Sequence, residues 1–366
     1  MRKVAVIPAV VLAALCTFTG CKKEEVENVI APLVSDGQTT ESTEEAQEEK
    51  DPLIPEIDTS VEIQAGSRVA VVSKSTSGEF WGLVKKGMEQ AIADVNEAYG
   101  FKKEDQVTMT FEGASDEKDV ESQVNTIDAV IAENPDVLCV SASDMDSLQA
   151  QLEAAKENGI PVVAFDSGVT DSKMVRAFRG TDNTRVGEIA AYRLATAIGK
   201  MGKVAVFSAQ EKTQSIQERV SGFTNYITNY PDIEVVEIVY QDQVDDMTAA
   251  MQEVLDKYPQ LDGVFCDNAD IADLYLDMKK DETKDSIVMV GVDATAKQQE
   301  AIWNSKEVGV VSQQPYAMGY QTIWTALLTT APKKSVEIKR NVRIDPAWID
   351  SSNIDDPTYS SYLYAN

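Results

Sequence analysis

The sequence predicts an α/β protein made of two doubly wound parallel-sheet lobes joined by a hinge of three chain crossings. The first observation behind this is a repeated opening. Residues 68–88 pass from an apolar strand pattern through a polar loop carrying Phe80-Trp81 into a helical pattern that contains Gly87, and residues 203–223 follow the same plan as far as Gly222. The first strand valine and the helix glycine stand 18 residues apart in both copies (69 to 87, 204 to 222). Strand, loop and helix in that order form the opening unit of a doubly wound domain, where ligands collect beyond the strand ends. The second observation is that near-continuous Val/Ile/Leu runs alternate with amphipathic helical patterns, as in a parallel sheet covered on both faces.

In the first half, strands are expected at residues 69–73, 107–112, 136–140 and 160–165. Helical spacing lies between them, at 83–95, at about 118–133, and in a stretch ending at Lys156. Asn134-Pro135 and Asn158-Gly159 close two of these helices, and the last strand delivers Asp166 at its end. The second half repeats the order, with strands at 204–208, 235–240, 261–266 and 286–292 and helices through Tyr226 and over 247–257. Its last strand delivers Asp293. From proline to terminal Asp the distance is 31 residues in one half (135 to 166) and 34 in the other (259 to 293). Short strands at 175–180 and 308–312, with a terminal strand at 336–344, are the candidate crossings. Three crossings make a hinge that bends without letting the halves drift apart. Thr181-Asp182-Asn183 reads as a helix cap at the first of them, and a helix is expected over 319–328.

Composition narrows the function. The chain has 366 residues, room for two domains, and a formal charge of −28. That charge argues against nucleic acid and anionic membrane surfaces as partners of the folded body. There is no His, so the commonest general base and zinc ligand are missing. No GxGxxG or Walker sequence is present. No catalytic residue, metal site or cofactor is expected.

The N-terminus reads as an address. A basic head, Met1-Arg2-Lys3, precedes an apolar run over 4–15 that is too short to span a bilayer comfortably. Thr17-Phe18-Thr19-Gly20-Cys21 then resembles a bacterial lipoprotein signal, with Phe18 where Leu is usual; the resemblance implies lipidation of Cys21. Residues 22–66 are expected to be a disordered, extended tether, since residues 38–50 are polar and acidic without apolar period and Pro52 and Pro55 follow. The expected division is signal 1–21, tether 22–66, an N-terminal lobe of 67–181 with 314–341, and a C-terminal lobe of 182–313 with 342–366. Cys139 and Cys266 fall in equivalent strands of different lobes, too far apart to bridge, and read as packed apolar residues.

Residues 67–345 resemble the periplasmic sugar-binding proteins of the ribose and galactose type, the substrate-capture subunits of ABC transporters. The residues that carry the resemblance are Val72-Ser73 with Phe80-Trp81, Asp166, Thr181-Asp182-Asn183 with Gly187, Arg219 with Gly222-Phe223, Asn268, Val290-Gly-Val-Asp293, and Gln313 two before Pro315. The resemblance implies a type I periplasmic binding protein fold and a ligand site built from Ser73, Phe80, Trp81, Asp166, Ser167, Arg219, Asn268, Asp293 and Gln313. It also implies a monosaccharide or polyol ligand, ABC permease subunits as partners, a monomer, and a location on the outer face of the cell membrane or in the periplasm. Ribose-type sites commonly place Arg after the first strand-end Asp, where this chain has Ser167, and an Asn in the loop that here holds Glu79.

The chemistry is consistent with that site. A sugar presents hydroxyls and two apolar ring faces, which carboxylates, amides and aromatic plates complement. Asp166 and Asp293 accept, Asn268 and Gln313 both donate and accept, and Arg219 donates from a rigid fork. Blander roles stand beside these. Arg219 could be a surface ion-pair partner, Asn268 a helix cap, and one of the adjacent Phe80 and Trp81 is expected to be core. A glycosidase-like use of paired carboxylates has no group set apart for it. A sensory binding protein, reporting occupancy to a membrane receptor kinase or chemoreceptor, is the alternative from another class.

Overall fold

The computed structural model describes residues 51–279, 286–332 and 337–364. The leader, Cys21 and the tether as far as residue 50 lie outside the described residues. The first lobe is built from β1 (Arg68–Ser75), α1 (Glu79–Ala98), β2 (Thr108–Ala114), α2 (Val120–Ala132), β3 (Val137–Val140), α3 (Gln149–Glu157), β4 (Val162–Phe165) and β5 (Ala177–Thr181). The second follows with α4 (Asn183–Ala197), β6 (Gly202–Ser208), α5 (Gln214–Ile227), β7 (Ile233–Tyr240), α6 (Met247–Lys257), β8 (Gly263–Cys266), α7 (Ala269–Met278), β9 (Val288–Val292), α8 (Ala296–Trp303) and β10 (Gly309–Ser312). Then α9 (Pro315–Thr330) and β11 (Asn341–Ile344) return to the first lobe, and β12 (Ala347–Asp350) joins the second.

The two sheets have the orders β11-β5-β4-β3-β1-β2 and β12-β10-β9-β8-β6-β7. Every pairing is parallel except β10 with β12, which runs antiparallel with Val311 opposite Trp348. The central strands are buried along their length, as in Val-Leu-Cys-Val of β3 and Gly-Val-Phe-Cys of β8. Covered on both faces, they need no polar alternation, which is why their sequences read as unbroken apolar runs. Each such side chain withdrawn from water contributes about 1.5–3 kcal/mol before chain entropy is charged against it.

Glycines set how the helices meet. In the first lobe α1 crosses α9, and a Cβ on Gly87 would lie 2.0 Å from the Tyr316 carbonyl oxygen. In the second lobe α4 crosses α5, and a Cβ on Gly187 would lie 2.1 Å from the Arg219 carbonyl oxygen. Gly319 and Gly222 return these contacts, each placing its Cα against the partner helix's backbone. The repeated helix glycine therefore marks a backbone-to-backbone helix crossing used once in each lobe.

Three crossings connect the lobes, after Thr181, through Gln313-Gln314, and through Asp345-Pro346. The Thr181 hydroxyl donates to Gln313 Oε1 at 2.6 Å and so ties the first two together. Arg343 of β11 grips Glu218 of α5 with two bonds of 2.6 and 2.9 Å beside the third.

Two expectations are corrected. The terminal crossing falls after residue 344, not at 341, because residues 341–344 pair with β5 of the first sheet from Asn341↔Phe178 to Ile344↔Thr181. The tether does not extend to residue 66 either. From residue 51 the chain packs on the first lobe: Ile63 is buried, Leu53, Ile54, Ile57 and Val61 lie against its core, and the Tyr99 hydroxyl donates to the carbonyl of Val61 at 2.6 Å. Those four apolar residues, set among acids and prolines, carry no helical or strand period and so left no pattern to read.

Candidate functional site

The carboxyl ends of both sheets face one another across a cavity of about 580 Å³. The lobes also touch around its rim. The Ala296 amide of α8 donates to Glu79 Oε2 at 3.0 Å, the Gly168 amide to Gln214 Oε1 at 2.7 Å, and the Met145 amide to the Lys212 carbonyl at 3.1 Å. The two lobes are thus bonded directly to each other beside the cavity.

Asp166 and Asp293 occupy matching positions just past β4 and β9, and both have left-handed backbones, with φ of 55° and 82°. Non-glycine residues seldom adopt that region, and where they do the strain collects at functional sites. Here it turns both carboxylates into the cavity. Asp166 Oδ2 receives Lys74 Nζ at 2.9 Å and the Ser141 hydroxyl at 2.9 Å. Asp293 receives the Ala269 amide at 2.9 Å, Gln313 Nε2 at 2.7 Å and the Tyr364 hydroxyl at 2.9 Å.

Arg219 is buried and lines the cavity, which excludes a surface ion pair. Its Nε donates to Asn183 Oδ1 at 2.8 Å and a terminal nitrogen to the Asp267 carbonyl at 2.7 Å. Asn268 lines the cavity, and its Oδ1 accepts from the Ile271 amide at 3.0 Å as the cap of α7. Gln313 reaches the cavity from the second crossing. Asp182 caps α4 through the Arg185 amide at 3.1 Å, as expected.

The expectation that one of Phe80 and Trp81 is core holds for both, and each also lines the cavity. Both are largely buried, and their rings meet edge-on with centroids 5.0 Å apart. They sit in the first turn of α1, where consecutive side chains fan apart by about 100° and can flank one opening. Ser73 and Ser167 do not line the cavity. The Ser73 hydroxyl turns into the sheet, donating to the Ser75 carbonyl at 2.7 Å. The Ser167 hydroxyl is fully buried, 2.8 Å from that of Ser215 across the cleft.

Several residues at the site carried no signal in the sequence. Lys74 is buried in the cavity wall, 3.6 Å from Glu117 as well as against Asp166, with its ammonium 5.7 Å from the Trp81 ring centre. Burial alone would lower its pKa, but Asp166 and Glu117 outweigh it and the group ends above its ordinary value. Glu117 also accepts from the Trp81 indole at 2.6 Å. Asp267 is buried beneath the site, bonded to the Ser208 hydroxyl and to the Ala209 amide at 3.0 Å; burial pushes it up to about 6 even so. Among the described residues no group of three or more His, Cys, Asp or Glu is placed to hold a metal ion.

Two parallel-sheet lobes, three crossings and a polar cleft between strand ends define a two-lobed binding protein. Residues 69–331 match the periplasmic binding protein domain, and the chain belongs to that family, in its type I fold. Among curated relatives it is 27% identical over 203 residues to the ribose import binding protein of Bacillus subtilis, a match covering 56% of this chain and 66% of that one, just under two thirds of its length. Two solved ABC transporter solute-binding proteins of Agrobacterium vitis are similar throughout. One, with bound D-fucose, is 28% identical with a TM-score of 0.74 over 81% of this chain and 100% of its own. The other, bound with α-D-tagatopyranose, is 26% identical with a TM-score of 0.74 over 82% and 100%.

Proposed function

We propose that this chain is an exported, lipid-tethered solute-binding protein that captures a monosaccharide or related polyol between its lobes and delivers it to an ABC permease, without chemistry. The observation that carries the reading is convergence. Carboxylates, amides and a guanidinium from both lobes, with two aromatic rings, meet in one cavity of about 580 Å³, a size that suits a small ligand. The sugars held by the Agrobacterium vitis proteins support it. Hydroxyls would bond to Asp166, Arg219, Asn268, Asp293 and Gln313 while Phe80 or Trp81 covers a ring face. Because these groups come from opposite lobes, ligand contacts are complete only in the shut form, and the ligand shifts an open–closed equilibrium by its differential affinity for the two.

A thermal-shift screen of the full chain against pentoses, hexoses, inositols and nucleosides tests this. At least one is expected to raise the melting temperature, as any ligand that binds only the folded state must. No shift across the panel defeats the sugar reading, and turnover of any member defeats the non-enzymatic one.

A further inference from the structure

The walls of the cavity hold eight carboxylate residues against three cationic ones. The cations are already engaged. Lys74 faces Asp166 and Glu117, Lys118 lies 3.5 Å from Asp116, and Arg219 gives two of its donors to Asn183 and the Asp267 carbonyl while its charge acts on the buried Asp267 carboxyl. Seven of the eight carboxylates have a partner too; Glu79, for instance, holds the Ala296 amide and Asp273 the Thr295 hydroxyl. Asp270 is the exception. It stands at the start of α7, open to the cleft, and makes no hydrogen bond or ion pair with any described residue.

We propose that the cleft selects a positively charged monosaccharide, an amino sugar, and that Asp270 is the residue that selects it. A neutral hydroxyl could satisfy one oxygen of Asp270 but would leave its charge unbalanced among like charges, whereas an ammonium group would balance it. The surrounding electrostatics support this. Although the residue stays open to solvent, partial burial between the lobes, followed by the charges of Glu117, Asp293, Asp273 and Asp116, pushes the Asp270 carboxyl up to about 6. An acid in the first turn of a helix is ordinarily favoured by the helix dipole; here burial and, after it, the neighbouring carboxylates overcome that preference.

The inference rests on the sugar-binding reading, and its test separates the two. The full chain is titrated calorimetrically at about pH 7 with a hexosamine, its N-acetyl derivative and the parent hexose, in the gluco, galacto and manno series. N-acetylation keeps the substituent and removes the charge. In one series the hexosamine should bind at least about tenfold more tightly than both neutral forms. Asp270→Asn should erase that margin by lowering the affinity for the hexosamine more than that for the neutral sugars; since it removes a carboxylate whose charged form the fold disfavours, the variant's melting temperature should hold or rise. If a neutral sugar binds as tightly as its amine, or Asp270→Asn leaves the margin intact, charge selection is wrong and sugar capture stands. If no sugar of any series binds, the amino-sugar inference falls, and the sugar reading rests on the pentoses, inositols and nucleosides of the thermal-shift screen.

Discussion

Gly187→Ala should destabilise the second lobe, although alanine is the better helix former. A Cβ at that position would lie 2.1 Å from the Arg219 carbonyl oxygen and 2.5 Å from the Phe223 nitrogen, both backbone atoms that no rotamer change can move. Carbon and oxygen settle at about 3.3–3.6 Å, so α4 and α5 must part by roughly 1 Å or more. Overpacking of that kind costs about 1–3 kcal/mol, and a rigid backbone obstacle puts this case at the upper end. Replacing a mid-helix glycine returns about 1 kcal/mol. The net expectation is a loss of about 2 kcal/mol. Gly82 supplies the control: it lies in α1, is exposed, and would place a Cβ in open space, so Gly82→Ala should hold or raise stability. Urea denaturation of both variants reads the difference as midpoint shifts of opposite sign. A Gly187→Ala protein as stable as the parent would refute the close-crossing argument. Parting the helices also draws Arg219 from Asn183 and Asp267, so ligand affinity should fall with stability.

Two further perturbations follow from the site and its surroundings. Asp293→Ala strips the acceptor from Gln313, Tyr364 and the Ala269 amide, stranding buried donors at about 1–3 kcal/mol each, less than additively; a total near 3 kcal/mol in urea is expected, with loss of ligand binding. Unchanged stability with lost binding would make Asp293 a ligand contact alone. Glu307 is buried with one oxygen unpartnered, and burial raises its pKa well above the ordinary value. The folded state therefore holds a proton that the unfolded chain releases, so this group's contribution is fully present below the unfolded pKa and is lost as pH rises toward the folded one. Glu307→Gln should stabilise at neutral pH and lose that advantage near pH 4, read from melting temperatures at both. An equal gain at the two pH values would point to packing instead of ionisation.

How much of the site could be read beforehand depended on whether a residue's role is local. Asp166, Asp293 and Asn268 end strands or begin helices, positions that periodicity locates, and all three line the cavity. Lys74 could not be found this way. One residue past the predicted strand end, a lysine is ordinarily a solvated charge, and only the approach of Asp166 and Glu117 makes it an enclosed one. Asp270 looks like any acid in a first helical turn until Asp116 and Glu117 arrive from the other lobe. Thr295 to Gln298, by contrast, has the spacing of a capping box, and both of its bonds form at the start of α8. The strand β12 left no comparable mark, because four residues show their nature only through the partner they pair with.

By itself the sequence determined the two-lobe plan, because buried parallel strands and their covering helices impose apolar periods that repeat whenever the fold repeats. It also determined the strand-end acids and the paired helix glycines, which each half needs for its own geometry. Only the tertiary structure decided where the third crossing falls, that residues 51–66 belong to the folded body, and which charges in the cleft are already balanced. Those depend on groups far apart in the chain coming within a few ångströms, and a charge carries no record in its own sequence neighbourhood of the partner that will neutralise it.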